Sequence, residues 1–383
     1  MIISRKGAAR LRAGHPWVFS GDLVKVTDAV NGDIVAILDE RDRRLGWGFY
    51  SQHSLIALRW IAGAHERIND RFWARRFDAA DSWRRTVVEN TEAYRLVFGE
   101  SDMLPSLIID RYGDHYVIQT LTPGMERLKS FWIDLLIERK RPRAIIERND
   151  VKVRQLEELP LQSGVLWGTL MEEVVVQING ISFAVDLIAG QKTGAFLDQR
   201  ENQAAVRKYA RGYCLDCFCY DGGFSMTVAS QCQSVQAVDI AGEALQRVKK
   251  NALLNRLDNI ECVEANVFDL LRDYYDQSKR FDIIILDPPA FAKTRAALGS
   301  AIRGYKEINR QAMRLLHPGG ILVTCSCSYH LSEQMFLEVL LSAAFDAGRC
   351  LTLLEKRTQA RDHPILLSMP ESYYLKCFIL RVN

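Results

Sequence analysis

No run of apolar residues in this chain is long enough to span a bilayer, which argues against a helical membrane protein. The start, MIISRKGAARLRAGHPW, lacks the apolar middle of a secretory signal. A cytosolic protein with reduced thiols is therefore expected, and nine cysteines, an odd number, do not suggest a disulfide framework. Neither sign of charge dominates. Fifty Lys and Arg against 47 Asp and Glu leave a net +3, so global charge says little about partners. Internal repeats and low-complexity tracts are absent. What remains is 383 residues, 48% hydrophobic and 25% charged, the make-up of an ordinary globular protein with two or three domains.

Two partial motifs are missing their other halves. Cys214, Cys217 and Cys219 read C-x2-C-x-C, but no second pair follows at zinc-ribbon spacing and the segment reads as a buried strand, so no metal is expected. There is also no clean G-x-G-x-x-G, which makes dinucleotide binding the weaker option.

Three regions follow from the patterning. Residues 1–75 look like a small β-rich unit, with short strands at Asp33–Leu38, Leu45–Tyr50 and Leu55–Trp60 and turn residues such as Asn31-Gly32 between them. This segment holds 12 Lys and Arg against 8 Asp and Glu, a mild excess that permits an anionic partner. Arg41-Asp42-Arg43-Arg44 sits at a hairpin tip, where a solvated turn and an RNA contact are equally good readings. Phe72, Trp73, Phe77, Ala80, Trp83 and Val87 recur at helical spacing and predict an amphipathic helix whose aromatics are core. Residues 76–187 read as α+β: a hairpin around Arg111-Tyr112-Gly113-Asp114, a helix near 125–139, a strand at Arg143–Glu147, and a second hairpin with Asn179-Gly180 at its tip.

In residues 188–383 strands and helices of 11–20 residues alternate. Strands are expected at Cys214–Cys217, Val235–Asp239, Ile260–Glu264, Asp282–Asp287 and Gly320–Cys325. That alternation predicts a parallel sheet covered on both faces. The first strand runs into DCFCYDGGFS, a strand, a Gly pair and a helix, the layout of a nucleotide-binding turn. Asp216, Phe218, Tyr220, Gly222 and Gly223 are thus candidate cofactor residues, the glycines because no Cβ blocks close approach. Asp239, ending the second strand, can accept both hydroxyls of a ribose; a cap on the next helix is the lesser alternative. Asn266 and Val267 follow the third strand, where an adenine would lie. S-adenosylmethionine suits this set, since it needs close backbone approach and an acidic ribose clamp but no pyrophosphate cradle.

The fourth strand ends Asp287-Pro288-Pro289-Ala290-Phe291, a rigid turn with a carboxylate and an aromatic that can hold a flat base at the carboxyl rim of the sheet. The fifth runs into Thr324-Cys325-Ser326-Cys327-Ser328. Periodicity puts both thiols on one face. Position separates them: Cys327 has passed the strand's end and can meet a base, while Cys325 reads as strand packing. A thiolate adding to carbon 6 of a pyrimidine makes carbon 5 nucleophilic, which explains why a methyl-transfer enzyme would carry a cysteine there. Asp287 could then hydrogen-bond the base edge, and it is also a candidate cofactor contact.

These residues resemble the RlmI-like large-subunit ribosomal RNA methyltransferases, a cytosine-5 family using S-adenosylmethionine. The likeness covers nearly the whole chain. It rests on GQKTGAFLDQR (190–200), CFCYDGGF (217–224), LDPPAF (286–291), RGYKEINRQA (303–312), TCSCSYH, DHP (362–364) and YLKCF (374–378). It implies an N-terminal PUA domain (1–75), a central α+β domain (76–187) and a Rossmann-like methyltransferase domain (188–383). Its nucleophile matches Cys327; a Thr-Cys-Ser motif in other RNA cytosine-5 enzymes would select Cys325 instead. It further implies a lid of Gln191, Lys192, Thr193 and Gly194, with Phe196, Asp198 and Arg200 as cofactor contacts behind it. Lys192, Arg303, Tyr305 and Lys306 would then face RNA. The expected partner is 23S ribosomal RNA, free or in an assembly intermediate, with no membrane; a homodimer stays open. The competing functions are an amino-methyltransferase acting on an exocyclic nitrogen, and a non-catalytic RNA-binding assembly factor.

Overall fold

A computed structural model describes residues 1–383 apart from Lys293. The chain folds into two units. The first comprises Met1–Val176, Val185–Ala195 and Arg361–Ser372; the second comprises Gln177–Ala184, Phe196–Ala360 and Tyr373–Asn383.

The first unit holds two sheets. One is six-stranded, built from β1 (Ile2–Ile3), β2 (Trp17–Phe19), β3 (Leu23–Lys25), β4 (Ile34–Asp39), β5 (Arg44–Tyr50) and β6 (Ile56–Ala62), in the order β2-β6-β5-β4-β1-β3. A short helix, α1 (Arg5–Arg12), is capped by the Ser4 side chain, which accepts from the Gly7 amide at 3.1 Å. The β4–β5 tip is organised by Asp39, which accepts from the amides of Arg41 (3.0 Å) and Arg43 (3.1 Å) and from the guanidinium of Arg12 (2.6 Å). Those partners hold the Asp39 carboxyl well below the usual carboxylate range, with the Arg43 side chain the largest contributor. The arginines of the tip stay exposed.

Helix α2 (Asp70–Val87) follows the expected pattern with one exception. Phe72, Trp73, Phe77, Ala80 and Val87 are buried, but Trp83 is 46% exposed. The second sheet is five-stranded: β7 (Ala93–Phe98), β8 (Leu107–Tyr112), β9 (His115–Thr120), β10 (Ala144–Asn149) and β11 (Gln162–Gly168), in the order β11-β10-β9-β8-β7. Helices α3 (Pro123–Arg127) and α4 (Lys129–Lys140) connect β9 to β10. The outer strands β7 and β11 were not anticipated; β11 is an edge strand with little buried surface, so it carries no apolar alternation. Phe49 and Ile61 of the first sheet, Trp73 and Phe77 of α2, and Trp132 and Ile118 near the second sheet share one core. Phe49 stacks on Trp73 at 5.9 Å.

The hairpin β12 (Val174–Ile178) and β13 (Ile181–Val185) turns at Asn179 and Gly180, with φ of 54° and 75°. Two positive φ values at an Asn-Gly tip make the tight turn that matches strand twist.

The second unit is built on a seven-stranded sheet. In chain order its elements are α5 (Arg200–Val206), β14 (Tyr213–Cys217), α6 (Gly223–Ala229), β15 (Ser234–Asp239), α7 (Gly242–Leu254), β16 (Ile260–Glu264), α8 (Val267–Asp276), β17 (Phe281–Leu286), α9 (Leu298–Leu315), β18 (Leu316–Ser326), α10 (Glu333–Ala347), β19 (Leu351–Arg357) and β20 (Lys376–Val382). The strand order is β16-β15-β14-β17-β18-β20-β19. Strands β14 to β18 are parallel, as expected, but β20 is antiparallel to both β18 and β19. The sheet is therefore mixed rather than all parallel: the last strand needs no crossover helix and inserts beside β18. Two crossover helices fall below the expected length, α6 with 7 residues and α8 with 10. Among the described residues no helix is long and apolar enough to cross a membrane.

Candidate active site

The candidate loops after β14, β15, β16, β17 and β18 leave the carboxyl ends of parallel strands, so the sheet itself gathers them on one rim. Between β14 and α6 the backbone is forced into the left-handed region at three positions: Phe218 (φ 63°), Tyr220 (φ 51°) and Gly222 (φ 83°). For the two aromatic residues this conformation costs about 1 kcal/mol or more each, a strain typical of ligand clamps. Two aspartates hold the turn. Asp216 Oδ2 accepts from the Ser225 amide (2.9 Å) and hydroxyl (2.6 Å), while Asp239 accepts from the amides of Tyr220 (3.0 Å) and Ala241 (2.9 Å). Asp239 thus serves the local backbone through both oxygens; helix α7 itself begins at Gly242, so Asp239 is not its N-cap. Tyr220 packs edge-on to Phe196 at 5.0 Å, and the Arg247 guanidinium lies 4.8 Å from its ring centre.

The two glycines have separate reasons. Gly222 supplies the positive φ. At Gly223 a Cβ would sit 2.3 Å from Gln203 Nε2, so the space beside it is filled by α5. The expectation that this glycine opens room for a ligand is corrected on that point.

The rim is rich in carboxylates. Asp216 is 1% exposed, and its Oδ1 has no hydrogen-bond partner among the described residues. Burial, helped by the charges of Asp287 and Asp239, lifts its carboxyl to about 7. Burial also lifts Asp221 to about 7, with Arg247 drawing it back. Asp221 escaped the sequence reading, although it sits between Tyr220 and the Gly pair; an acidic residue inside the turn was the available signal. Asn266 is exposed and caps α8 by accepting from the Phe268 amide at 2.9 Å, and Val267 is buried beneath it.

Strands β17 and β18 run side by side with Leu286 opposite Thr324, so Asp287-Pro288 and Ser326-Cys327 emerge together. Asp287 is half-buried, and its amide donates to the Cys217 carbonyl at 3.4 Å. The two thiols differ sharply. Cys325 is fully buried, directly opposite Cys377 of β20, in an apolar cluster with Ile285, Val323 and Ile379. Burial pushes its thiol well above the ordinary range. Cys327 is half-buried beyond the strand, its thiol 4.0 Å from the Pro288 carbonyl oxygen.

The serines on either side of Cys327 hold it there. Ser326 donates to the Tyr305 hydroxyl at 3.1 Å; the hydroxyls of Tyr305 and Ser328 lie 3.2 Å apart. The Ser328 hydroxyl also accepts from the Ala292 amide at 3.2 Å, tying the loop after Asp287 to the loop bearing Cys327. Tyr305 is accordingly 0% exposed, with burial raising its hydroxyl to about 12. This corrects its expected place facing RNA: its ring packs 4.6 Å from Phe291 and 5.4 Å from Phe336. Arg303, on the same helix, is exposed; Lys306 pairs with Asp346 at 2.7 Å.

Phe196, Asp198 and Arg200 lie in the second unit, where Asp198 accepts from the Tyr374 hydroxyl at 2.7 Å and Arg200 is buried. Gln191, Lys192, Thr193 and Gly194 lie in the first. That loop is pinned rather than loose. Thr193 donates to Asp110 at 2.5 Å and meets the Tyr112 hydroxyl at 3.0 Å, and Arg148 donates to the Gly190 carbonyl at 2.8 Å. Lys192 is exposed, with φ 53°.

Comparison with known proteins places the chain in a family. The S-adenosylmethionine-dependent methyltransferase family matches residues 159–364, and a PUA-like domain family matches residues 1–62. A Streptococcus mutans structure described as a candidate S-adenosylmethionine-dependent methyltransferase superposes with a TM-score of 0.84, covering 100% of this chain and 99% of its own at 22% identity, which shows a shared fold. The fold and rim thus define an S-adenosylmethionine-dependent methyltransferase with a PUA-like domain. Ribosomal RNA large subunit methyltransferase I of Tolumonas auensis is 42% identical over 377 residues (96% of this chain, 95% of that protein). The Klebsiella pneumoniae protein of the same name is 39% identical over 391 residues (100% and 98%). The chain belongs to the ribosomal RNA large subunit methyltransferase I family.

The donor set fits that cofactor. The turn from Phe218 to Gly223 carries an acid and no base, and the charges of Asp287 and Asp239 both bear on Asp216. Such a rim suits a cationic sulfonium and repels a pyrophosphate.

Proposed function

We propose that this chain methylates carbon 5 of a cytosine in large-subunit (23S) ribosomal RNA, with Cys327 as nucleophile. The observation that carries the reading is the contrast between the thiols: Cys327 is half-buried at the rim beside Pro288, while Cys325 is sealed in the core. S-adenosylmethionine supplies an electrophilic methyl group; Asp216, Phe218, Tyr220, Asp239, Asn266 and Val267 are the residues of the rim that would hold it, with Phe196, Asp198 and Arg200 beside them. The Cys327 thiolate adds to carbon 6 of the base, and carbon 5 becomes nucleophilic. Asp287 hydrogen-bonds the base edge from the rigid Pro288-Pro289 turn. Carbon 5 takes up the methyl group, the donor sulfur leaving as a neutral thioether; the carbon 5 proton then passes to water and the thiolate leaves, which breaks the adduct.

RNA contacts fall to the PUA-like domain, with Arg41, Arg43 and Arg44 exposed at its hairpin tip, and to Lys192, Arg303 and Lys306. In this reading residues 1–75, 76–187 and 188–383 are the RNA-binding, connecting and catalytic parts, and the protein works in the cytosol. A target base inside a helix must be unstacked first.

The test is to methylate ribosomal RNA lacking the modification, digest it to nucleosides and identify the product by mass spectrometry. 5-Methylcytidine is expected. N4-methylcytidine or N6-methyladenosine would replace this reading with the amino-methyltransferase, which needs no cysteine, and no product would favour an assembly factor.

A further inference from the structure

A thiol is a poor nucleophile until it loses its proton, and the rim around Cys327 is acidic, which opposes that loss. Asp287 lies on the adjacent strand exit and Glu333 stands in the first turn of α10, while the Tyr305 hydroxyl, kept neutral by burial, faces the flanking serines. A cation is needed to offset them. Lys376, the first residue of β20, is paired in register with Ser326 and only 2% exposed. Its ammonium donates to the Ser328 carbonyl at 2.8 Å and lies 5.9 Å from the Tyr373 ring centre. Glu333, the nearby carboxylate, is occupied by the Tyr373 hydroxyl (2.7 Å) and Lys356 (2.9 Å). Burying a lysine is costly and is retained where its charge acts.

We infer that Lys376 is a positioning residue for the nucleophile: its ammonium, pinned to the carbonyl that follows Cys327, stabilises the Cys327 thiolate, the thiol proton leaving to solvent. This inference rests on the proposed role of Cys327. Burial draws the Lys376 ammonium down to about 8, and the charges of Cys327 and Glu333 pull it back up. The group therefore stays largely cationic at neutral pH, when the thiolate must be present. The same carbonyl contact makes the interaction specific: Ser328 O fixes Nζ beside the loop that carries the sulfur.

The test needs neither RNA nor methyl transfer. The rate of iodoacetamide alkylation at Cys327 is followed from pH 5 to 10 by peptide mass spectrometry, with exposed Cys350 as internal reference. Thiolate displaces iodide, so the rate tracks the thiolate fraction. In wild type the Cys327 midpoint should lie below the ordinary thiol value of about 8.5 and return to it in urea. In Lys376→Met it should rise by about one pH unit or more, and Lys376→Arg should restore most of the shift. Cys350 should be unmoved throughout. A folded wild-type midpoint at or above the ordinary value overturns the inference with no variant needed, as does an unchanged midpoint in folded Lys376→Met. A confirmed shift without 5-methylcytidine formation would instead sink the cytosine reading, so the two failures are distinguishable.

Discussion

The two units treat buried charge differently. In the first, several deeply buried charges are paired. Arg84, 0% exposed, donates to both oxygens of Asp102 at 2.5 and 2.7 Å and to the Asp362 carbonyl at 2.8 Å. Arg95 grips Asp110 through two bonds of 2.8 Å, and Arg59 meets Glu157 at 2.7 Å. In the second, the rim gathers Asp216 and Asp221, lifted to about 7, and Lys376, drawn down to about 8. A charge that is paired and hydrogen-bonded holds a fold together; one at a strand-end rim that burial pushes toward its neutral form marks a place where a ligand or a reaction completes it. These pairs of the first unit are in this respect finished scaffold, and the rim of the second is an unfinished site.

Breaking a finished pair should give the largest stability effect. Arg84→Met leaves Asp102 buried without its cation and should cost about 3–5 kcal/mol in urea unfolding; a loss within 1 kcal/mol would remove the contrast between the units. Asp287→Asn tests the unfinished side by activity. It should lower methyl transfer about a hundredfold while the melting temperature stays near wild type, and comparable losses in both would make Asp287 a structural residue.

Asp216→Asn sharpens the comparison through pH. The folded carboxyl sits above its unfolded value, so its contribution to stability is full below the unfolded value and is lost as pH rises through about 7. The asparagine variant should therefore show a flatter stability profile between pH 4 and 7 and little or no loss at pH 8. A steeper profile would contradict the assignment. The smallest effect belongs to the exposed hairpin tip: Arg41→Ala should reduce the slope of log RNA affinity against log salt by roughly one, leaving the protein's stability unchanged.

How much of this was legible in the sequence varies with the physics of each element. The five parallel strands and both hairpins announced themselves, because buried apolar runs and an Asn-Gly tip are local signals. Strands β19 and β20 did not: LTLLEKR and KCFILRV take their places from long-range pairing, and nothing within seven residues says that the chain's end inserts beside β18. The position of Cys327 past the strand's end was readable, because strand length set it. The reason it is held there was not. Ser326, Ser328 and Tyr305 are far apart in sequence and meet only in the fold, which is why Tyr305 looked like a surface residue of RGYKEIN and is in fact core. Lys376 shows the same limit, being one residue of YLKCF until β20 brings it beside Ser326.

The most direct test of the central claim is covalent trapping on 5-fluorocytosine-substituted ribosomal RNA with S-adenosylmethionine. Fluorine at carbon 5 cannot leave as a proton, so the adduct persists on a denaturing gel. The account predicts a shifted band in wild type and Cys325→Ala and none in Cys327→Ala. A band lost only in Cys325→Ala, or no band in wild type while ordinary RNA is still methylated, would contradict it.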